Sequence, residues 1–212
     1  TYTEQDACRI MQKLFSTIAF CHKRKVVHRD LKLENIMFKT SSEDSDIRII
    51  DFGLAAYDEC KTFRKRVGTI LYMAPEIFKK DYTNKCDIWS LGVIAYVLLC
   101  GNFPFKGTSE NETIRKIKTE EVLFQSDRWE RLSPDAKDFL RRVLKKDHIE
   151  RPSAEEALRH KWFERLRDPE LKKILIDVKD NLLKIQSSSL LKRYIQRLMA
   201  QDILHSPEIA GG

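Results

Sequence analysis

Apolar residues recur at helical spacing near the start of the chain. Ala7, Ile10, Met11, Leu14, Phe15 and Ile18 line one face of residues 4–23, and Thr3 with Asp6 forms a capping-box-like start. Val26-Val27 is a short β-branched piece. Ile36 to Phe38 and Ile47 to Ile50 read as short strands, separated by the polar turn Thr40 to Asp46. Residues 54–72 have no clear period and are expected to form a long ordered loop, a feature that is usually functional in a compact domain. Asp87 to Leu99 is apolar on every face, the pattern of a helix buried all round. Ser133 caps another helix with Pro134 at its first position, and Ser153 with Glu156 is a capping box opening a short helix to His160. Beyond Glu164 the composition shifts. Asp168-Pro169 restarts a helix with the stripe Leu171, Ile174, Leu175, Val178, Leu182 and Ile185. After Ser187-Ser188-Ser189 a second stripe follows: Leu190, Leu191, Tyr194, Ile195 and Leu198. The pattern predicts a mainly α chain with a few short strands. It contains no internal repeat and no low-complexity tract.

The bulk numbers narrow this picture only slightly. With 212 residues, 42% hydrophobic and 33% charged, the chain has the profile of a soluble globular domain with one good core. The net charge of +7 is spread along the sequence, no nucleic-acid motif accompanies it, and the aromatics sit in apolar runs. No nucleic-acid partner is therefore expected. Cys8, Cys21, Cys60, Cys86 and Cys100 show no C-x-x-C spacing and read as thiols in a reducing, cytoplasmic compartment. No signal-peptide pattern opens the chain. The longest apolar stretch, Ile88 to Cys100, is too short to span a bilayer, and membrane contact is not expected.

The candidate chemistry lies between the strands. His28-Arg29-Asp30-Leu31-Lys32-Leu33-Glu34-Asn35 is followed by Asp51-Phe52-Gly53 and then by Ala74-Pro75-Glu76, in the order and rough spacing of the protein-kinase signature set. An isolated Asp and Asn at this spacing is ordinarily turn chemistry, because both side chains bond their own backbone. The downstream motifs reverse that reading. Phosphoryl transfer needs positioning and charge stabilisation: a carboxylate beside the attacking hydroxyl, metal ligands, and a cation on the phosphates. Asp30 matches the first, Asn35 and Asp51 the metal ligands, and Lys32 the cation.

On these motifs residues 1–163 resemble the large C-terminal lobe of a eukaryotic protein kinase. The wider text also carries Gly68-Thr69-Ile70-Leu71-Tyr72, Asp87-Ile88-Trp89-Ser90-Leu91-Gly92, Phe103-Pro104-Phe105 and Arg151-Pro152-Ser153 to Leu158. With it, the chain is most similar to calcium-dependent protein kinases of the plant and protist type. The resemblance implies a mainly α lobe with short strands around the catalytic loop, ATP and Mg2+ as cofactors, and protein Ser/Thr substrates, with Lys32 of the Ser/Thr rather than the Tyr kind. It implies Asp30, Lys32 and Asn35 as catalytic residues. Lys32, Glu34, Asn35, Met37 and Asp51 would serve binding, with Met37 under the adenine and Asn35 and Asp51 on the metal. Glu34 would read an Arg upstream of the target hydroxyl, and Thr69 would sit near Asp30. Glu76 would pair with Arg151, Asp87 would fix the catalytic-loop backbone, and His28 would pack on Phe52. Arg29 opens the option of ordering by phosphorylation at Thr62, against which stands a plain solvated basic loop. Leu33 stands where Pro is common, and Asn102 where a small or Pro-like residue is. The Gly-rich loop and the phosphate-binding strand Lys are not in these residues, so the chain by itself is expected to be nearly inactive. A non-catalytic scaffold is the alternative.

Residues 164–168 read as a link, 169–204 as regulatory helices and 205–212 as a tail. Lys172, Lys173, Lys179, Lys184, Lys192, Arg193 and Arg197 lie on or near the polar face, the look of a calmodulin-target-like or membrane-surface helix, or of one packed on the lobe. The text from Asp180 to Ala200 is similar to the autoinhibitory and junction segment of calcium-dependent kinases. That implies an EF-hand calcium sensor binding residues 180–203, although no EF-hand loop occurs in the sequence.

Overall fold

A computed structural model describes residues 3–38, 47–58 and 62–164. The predicted turn at 40–46, Cys60, and the helices and calcium-sensor segment placed in 169–204 lie outside the described residues.

The first helix, α1 (Glu4–Lys23), forms where the periodicity puts it. The Thr3 hydroxyl accepts from the Asp6 amide while the Asp6 carboxylate reaches back to the Thr3 amide, and Ala7, Cys8, Met11, Leu14, Phe15 and Ile18 are buried. Its start is clamped to the far end of the domain. Glu4 accepts from the amide and hydroxyl of Ser133 at 2.9 and 2.6 Å and from the Trp162 indole at 3.0 Å. Ser133 caps α5 (Pro134–Val143), and Trp162 lies in α7 (Lys161–Glu164). The centre is α2 (Lys85–Cys100), in which every residue from Cys86 to Cys100 is buried. Gly92 lets α5 approach, since a Cβ there would stand 2.8 Å from Val143 Cγ2 and 2.9 Å from Leu144 Cδ2. Between α2 and α5 run α3 (Glu110–Thr119) and α4 (Asp127–Glu130), and α6 (Ala154–Ala157) follows on its Ser153–Glu156 capping box.

Strand is confined to two antiparallel ribbons: β1 (Val26–Val27) with β4 (Ala56–Tyr57), and β2 (Ile36–Phe38) with β3 (Ile47–Ile49). The mainly α expectation with short strands around the loop therefore agrees with the described residues. Several details differ. Residues 54–72 are not all loop: they hold β4, a bridge from Phe63 to Tyr82, and a 3-10 turn at Ile70–Tyr72. A two-residue strand carries no period and is set by its distant partner. The buried helix begins at Lys85, two residues earlier than predicted, and the helix after Ser153 ends at Ala157, short of His160. Among the described residues no helix is long and apolar enough to cross a membrane.

Lys146 ties the end of α3 to this core. Its ammonium nitrogen donates to the Ile117 carbonyl at 2.8 Å and lies 3.7 Å from the Phe105 ring centre, which stacks on Trp89. Burial pushes its pKa from 10.5 down to about 8. The fold thus prefers the neutral amine, so this group's contribution is absent below about 8 and grows as pH rises towards 10.5. Urea midpoints should therefore rise with pH across that window for the parent relative to Lys146→Met, and parallel pH curves would show the amine to be solvated.

Candidate active site

The two ribbons determine where the polar groups go. β1 leads into residues 28–35 and β2 leads out. β3 leads into residues 50–55 and β4 leads out. The two connecting segments lie side by side, and the Ile50 amide donates to the Asn35 carbonyl at 2.9 Å. Beneath them Asp87, at the start of α2 and fully buried, accepts from the amides of His28 and Arg29 and meets His22 Nε2, each at 2.9 Å. A buried carboxylate needs such donors. It also holds Arg29 at φ 67°, a left-handed backbone that costs a non-glycine residue about 1–3 kcal/mol.

Asp30 follows directly and is 8% exposed. Its Oδ1 accepts from the Thr69 amide and hydroxyl at 3.1 and 3.2 Å, and its Oδ2 from Lys32 Nζ at 2.7 Å. Lys32 Nζ is also 3.4 Å from the Thr69 hydroxyl. Asn35 donates from Nδ2 to the Asp30 carbonyl at 2.9 Å. Gly68 makes the approach of Thr69 possible: its φ is +104°, and a Cβ would stand 2.7 Å from the Arg29 carbonyl oxygen. Asp30, Lys32, Asn35 and Thr69 are thus brought together, the first three as predicted for one site.

Asp51 is exposed, with φ 62°, and its Oδ1 accepts from the Gly53 amide at 3.2 Å. Phe52 packs edge-on against His28 with ring centres 4.7 Å apart, and His28 Nε2 lies 3.3 Å from the Ile50 carbonyl oxygen. These contacts fix Asp51 beside the first segment. Met37, on β2, is half-exposed. Glu34 faces the buried Tyr72 hydroxyl, whose pKa is raised by burial first and by the Glu34 charge second. Glu34 Oε2 is buried and has no hydrogen-bond partner among the described residues.

The oxygens of Asn35 and Asp51 suit a hard cation. No cluster of three His, Cys, Asp or Glu side chains able to hold a metal occurs among the described residues. The two oxygens fit Mg2+, which is commonly held by one or two protein oxygens together with substrate phosphates and water.

The predicted Glu76–Arg151 pair forms at 2.6 and 3.0 Å and is buried. Sequence reasoning missed His22, Leu54 and Phe63. His22 meets Asp87 from the end of α1, while the Leu54 carbonyl accepts from Arg29 Nε at 2.7 Å and the Phe63 ring centre lies 4.9 Å from the Arg29 guanidinium. No spacing in the sequence marks these contacts, because each joins segments tens of residues apart. Cys8, Cys86 and Cys100 are buried free thiols, as expected, while Cys21 is half-buried.

Comparison with known proteins matches residues 1–163 to the protein kinase domain family. Calcium-dependent protein kinase 5 of Plasmodium falciparum is 41% identical over 174 residues, covering 81% of this chain and 30% of that protein. CDPK-related kinase 7 of Arabidopsis thaliana is 42% identical over 200 residues, covering 93% and 34%, and CDPK-related protein kinase of Daucus carota is 42% identical over 170 residues, covering 79% and 28%. The chain spans about a third of the length of these curated relatives.

Proposed function

The chain belongs to the protein kinase domain family, close to the calcium-dependent kinases, and from that premise we propose that its protein transfers the γ-phosphoryl group of ATP to Ser and Thr hydroxyls. The observation that carries this reading is Asp30. Its carboxylate is buried, aimed by Thr69, and shares Lys32 at 2.7 Å. An incoming hydroxyl that donates to Asp30 gains a proton acceptor in place, and Lys32 adds positive charge where the transferred group becomes negative. Asn35 and Asp51 would hold Mg2+, which supplies charge neutralisation between phosphate oxygens. Met37, half-exposed on β2, would contact the adenine. Glu34 would read an Arg upstream of the target hydroxyl, since a carboxylate gains a charge-assisted bond from such a partner. Residues 180–203 would be captured by a calcium-sensor domain, which makes transfer calcium-dependent.

The test uses the full-length protein, radiolabelled ATP and a Ser peptide with an upstream Arg. Asp30→Asn should lower kcat about 10²–10⁴-fold while the thermal midpoint and ATP affinity stay near those of the parent. Transfer at the parent rate would overturn the assignment. Loss of the peptide's Arg should raise KM, and Glu34→Gln should abolish that sensitivity.

A further inference from the structure

We propose that Arg66 selects substrates with an acidic side chain just after the target hydroxyl, with Lys118 adding to the same positive site on Phe78. This inference rests on the kinase reading above and narrows its substrate class. Arg66 is fixed in place by its neighbours. On one side the Lys65 carbonyl accepts from the Tyr82 hydroxyl at 2.7 Å, and on the other Val67 is buried. Thr69, three residues on, bonds Asp30 through its amide and hydroxyl, at the point where an attacking hydroxyl would meet its base. The Arg66 guanidinium lies 5.0 Å from the Phe78 ring centre, and the Lys118 ammonium of α3 lies 5.5 Å from the same centre. Phe78 is a rigid base for both. It packs on the core within the turn Pro75–Lys79, which Arg151 holds through Glu76.

One ring therefore carries two cations, which repel each other and together attract an anion. The chain itself offers them little. Glu110, at the start of α3, reaches Arg66 at 3.4 Å, but both side chains are exposed and water screens the pair. Among the described residues Lys118 has no ion pair, and the neighbouring carboxylates are engaged elsewhere: Glu112 with Thr108 and Lys116, and Glu120 with Arg115. Glu110 thus marks the chemistry of the site. A carboxylate fits it, and this one is held loosely enough for a substrate carboxylate to replace it. The direction follows from Thr69. The turn Ile70–Tyr72 after it leads to Tyr72, which faces Glu34, the group proposed to read an Arg before the target hydroxyl. Arg66 lies on the other side of Thr69 in the chain and so meets the part of the substrate after that hydroxyl.

The experiment uses the full-length protein, ATP and Ser peptides with an upstream Arg. Three differ only in the residue after Ser, which is Glu, Ala or Lys, and a fourth carries the Glu before Ser. For the parent, kcat/KM should be about fivefold higher on the Glu peptide than on the Ala peptide and lower again on the Lys peptide, the scale of one partly exposed charge pair. Arg66→Gln should level the Glu and Ala peptides. Arg66→Glu should turn the preference to the Lys peptide, an inversion that a damaged fold would not produce. Glu110→Gln should widen the advantage of the Glu peptide about twofold, because the competing carboxylate is gone. Equal rates on the Glu and Ala peptides in the parent, an Arg66→Glu protein that still prefers Glu, or an acidic preference confined to the position before Ser would each overturn the proposal. An Arg66→Glu protein that loses affinity for phosphatidylserine vesicles while its peptide preference is unchanged would assign the cations to a membrane surface and overturn it as well. If the parent phosphorylates no peptide under any condition, the kinase reading fails. Fluorescence-anisotropy affinities of the same peptides then still decide whether Arg66 selects an acidic residue.

Discussion

Arg151→Met should destabilise the fold by about 3–5 kcal/mol, the usual cost of leaving one member of a buried ion pair uncompensated. Arg151 is 1% exposed and spends all three guanidinium nitrogens inside the protein. Two bonds go to Glu76, one to the Lys85 carbonyl at 2.7 Å, and two to the Lys145 carbonyl at 3.2 and 2.9 Å. The residue therefore joins the 3-10 turn Pro75–Lys79, the first turn of α2 and the stretch after α5. Its plane also lies 5.1 Å from the Trp89 ring centre. Met fills much of the same space but satisfies none of these acceptors. Urea denaturation should show the loss as a lower midpoint with an unchanged slope. A double substitution, Arg151→Met with Glu76→Leu, removes the stranded carboxylate and should recover part of the loss. Recovery stays incomplete, because two backbone carbonyls remain without their donors. Full recovery would mean that the pair alone matters and the carbonyl bonds do not.

What the sequence reveals and what it hides divide along physical lines. The candidate catalytic residues are legible because phosphoryl transfer demands fixed side-chain types at short range. Asp30 and Asn35 share one loop, so their spacing survives as a pattern. The same holds for α1, whose stripe is long enough to repeat, and for α2, whose apolar run has no polar face. The helices that escaped notice are those that bury little. Within α3 Thr113 and Ile117 are the buried positions, and α4 buries Trp129. Such short helices are held by one or two anchors: Trp129 packs on Tyr96 and Phe124 with ring centres 4.8 and 4.7 Å away, and Trp162 in α7 reaches Glu4. A tertiary anchor of this kind has no period to read. The same reason hides β4, which exists because Val26 and Val27 offer it an edge, and hides the contact of Phe63 with a guanidinium 34 positions earlier in the chain.

Asp51→Ala is expected to remove transfer almost completely while leaving the fold intact. The two halves of that statement have separate causes. Asp51 is exposed, and the bond recorded for its side chain is a 3.2 Å turn contact to Gly53. Its removal leaves no buried group stranded, so stability should change little. Its backbone φ of 62° is the one source of cost, because Ala tolerates left-handed geometry less well than Asp. Catalytically the position is different. Asp51 stands between Ile50, whose amide bonds the Asn35 carbonyl, and Phe52, which packs on His28. If it holds Mg2+ against the phosphates, losing it forfeits several kcal/mol of transition-state stabilisation, which is about 10³-fold or more in kcat. Circular dichroism, thermal midpoint and a Mg2+-dependent ATP-binding titration should be read together in the full-length protein. A folded Asp51→Ala protein that no longer shows Mg2+-dependent tightening of ATP places the metal at this carboxylate. A folded variant with parent-like transfer would move the metal site elsewhere and leave Asn35 as a purely structural support for the Asp30 loop.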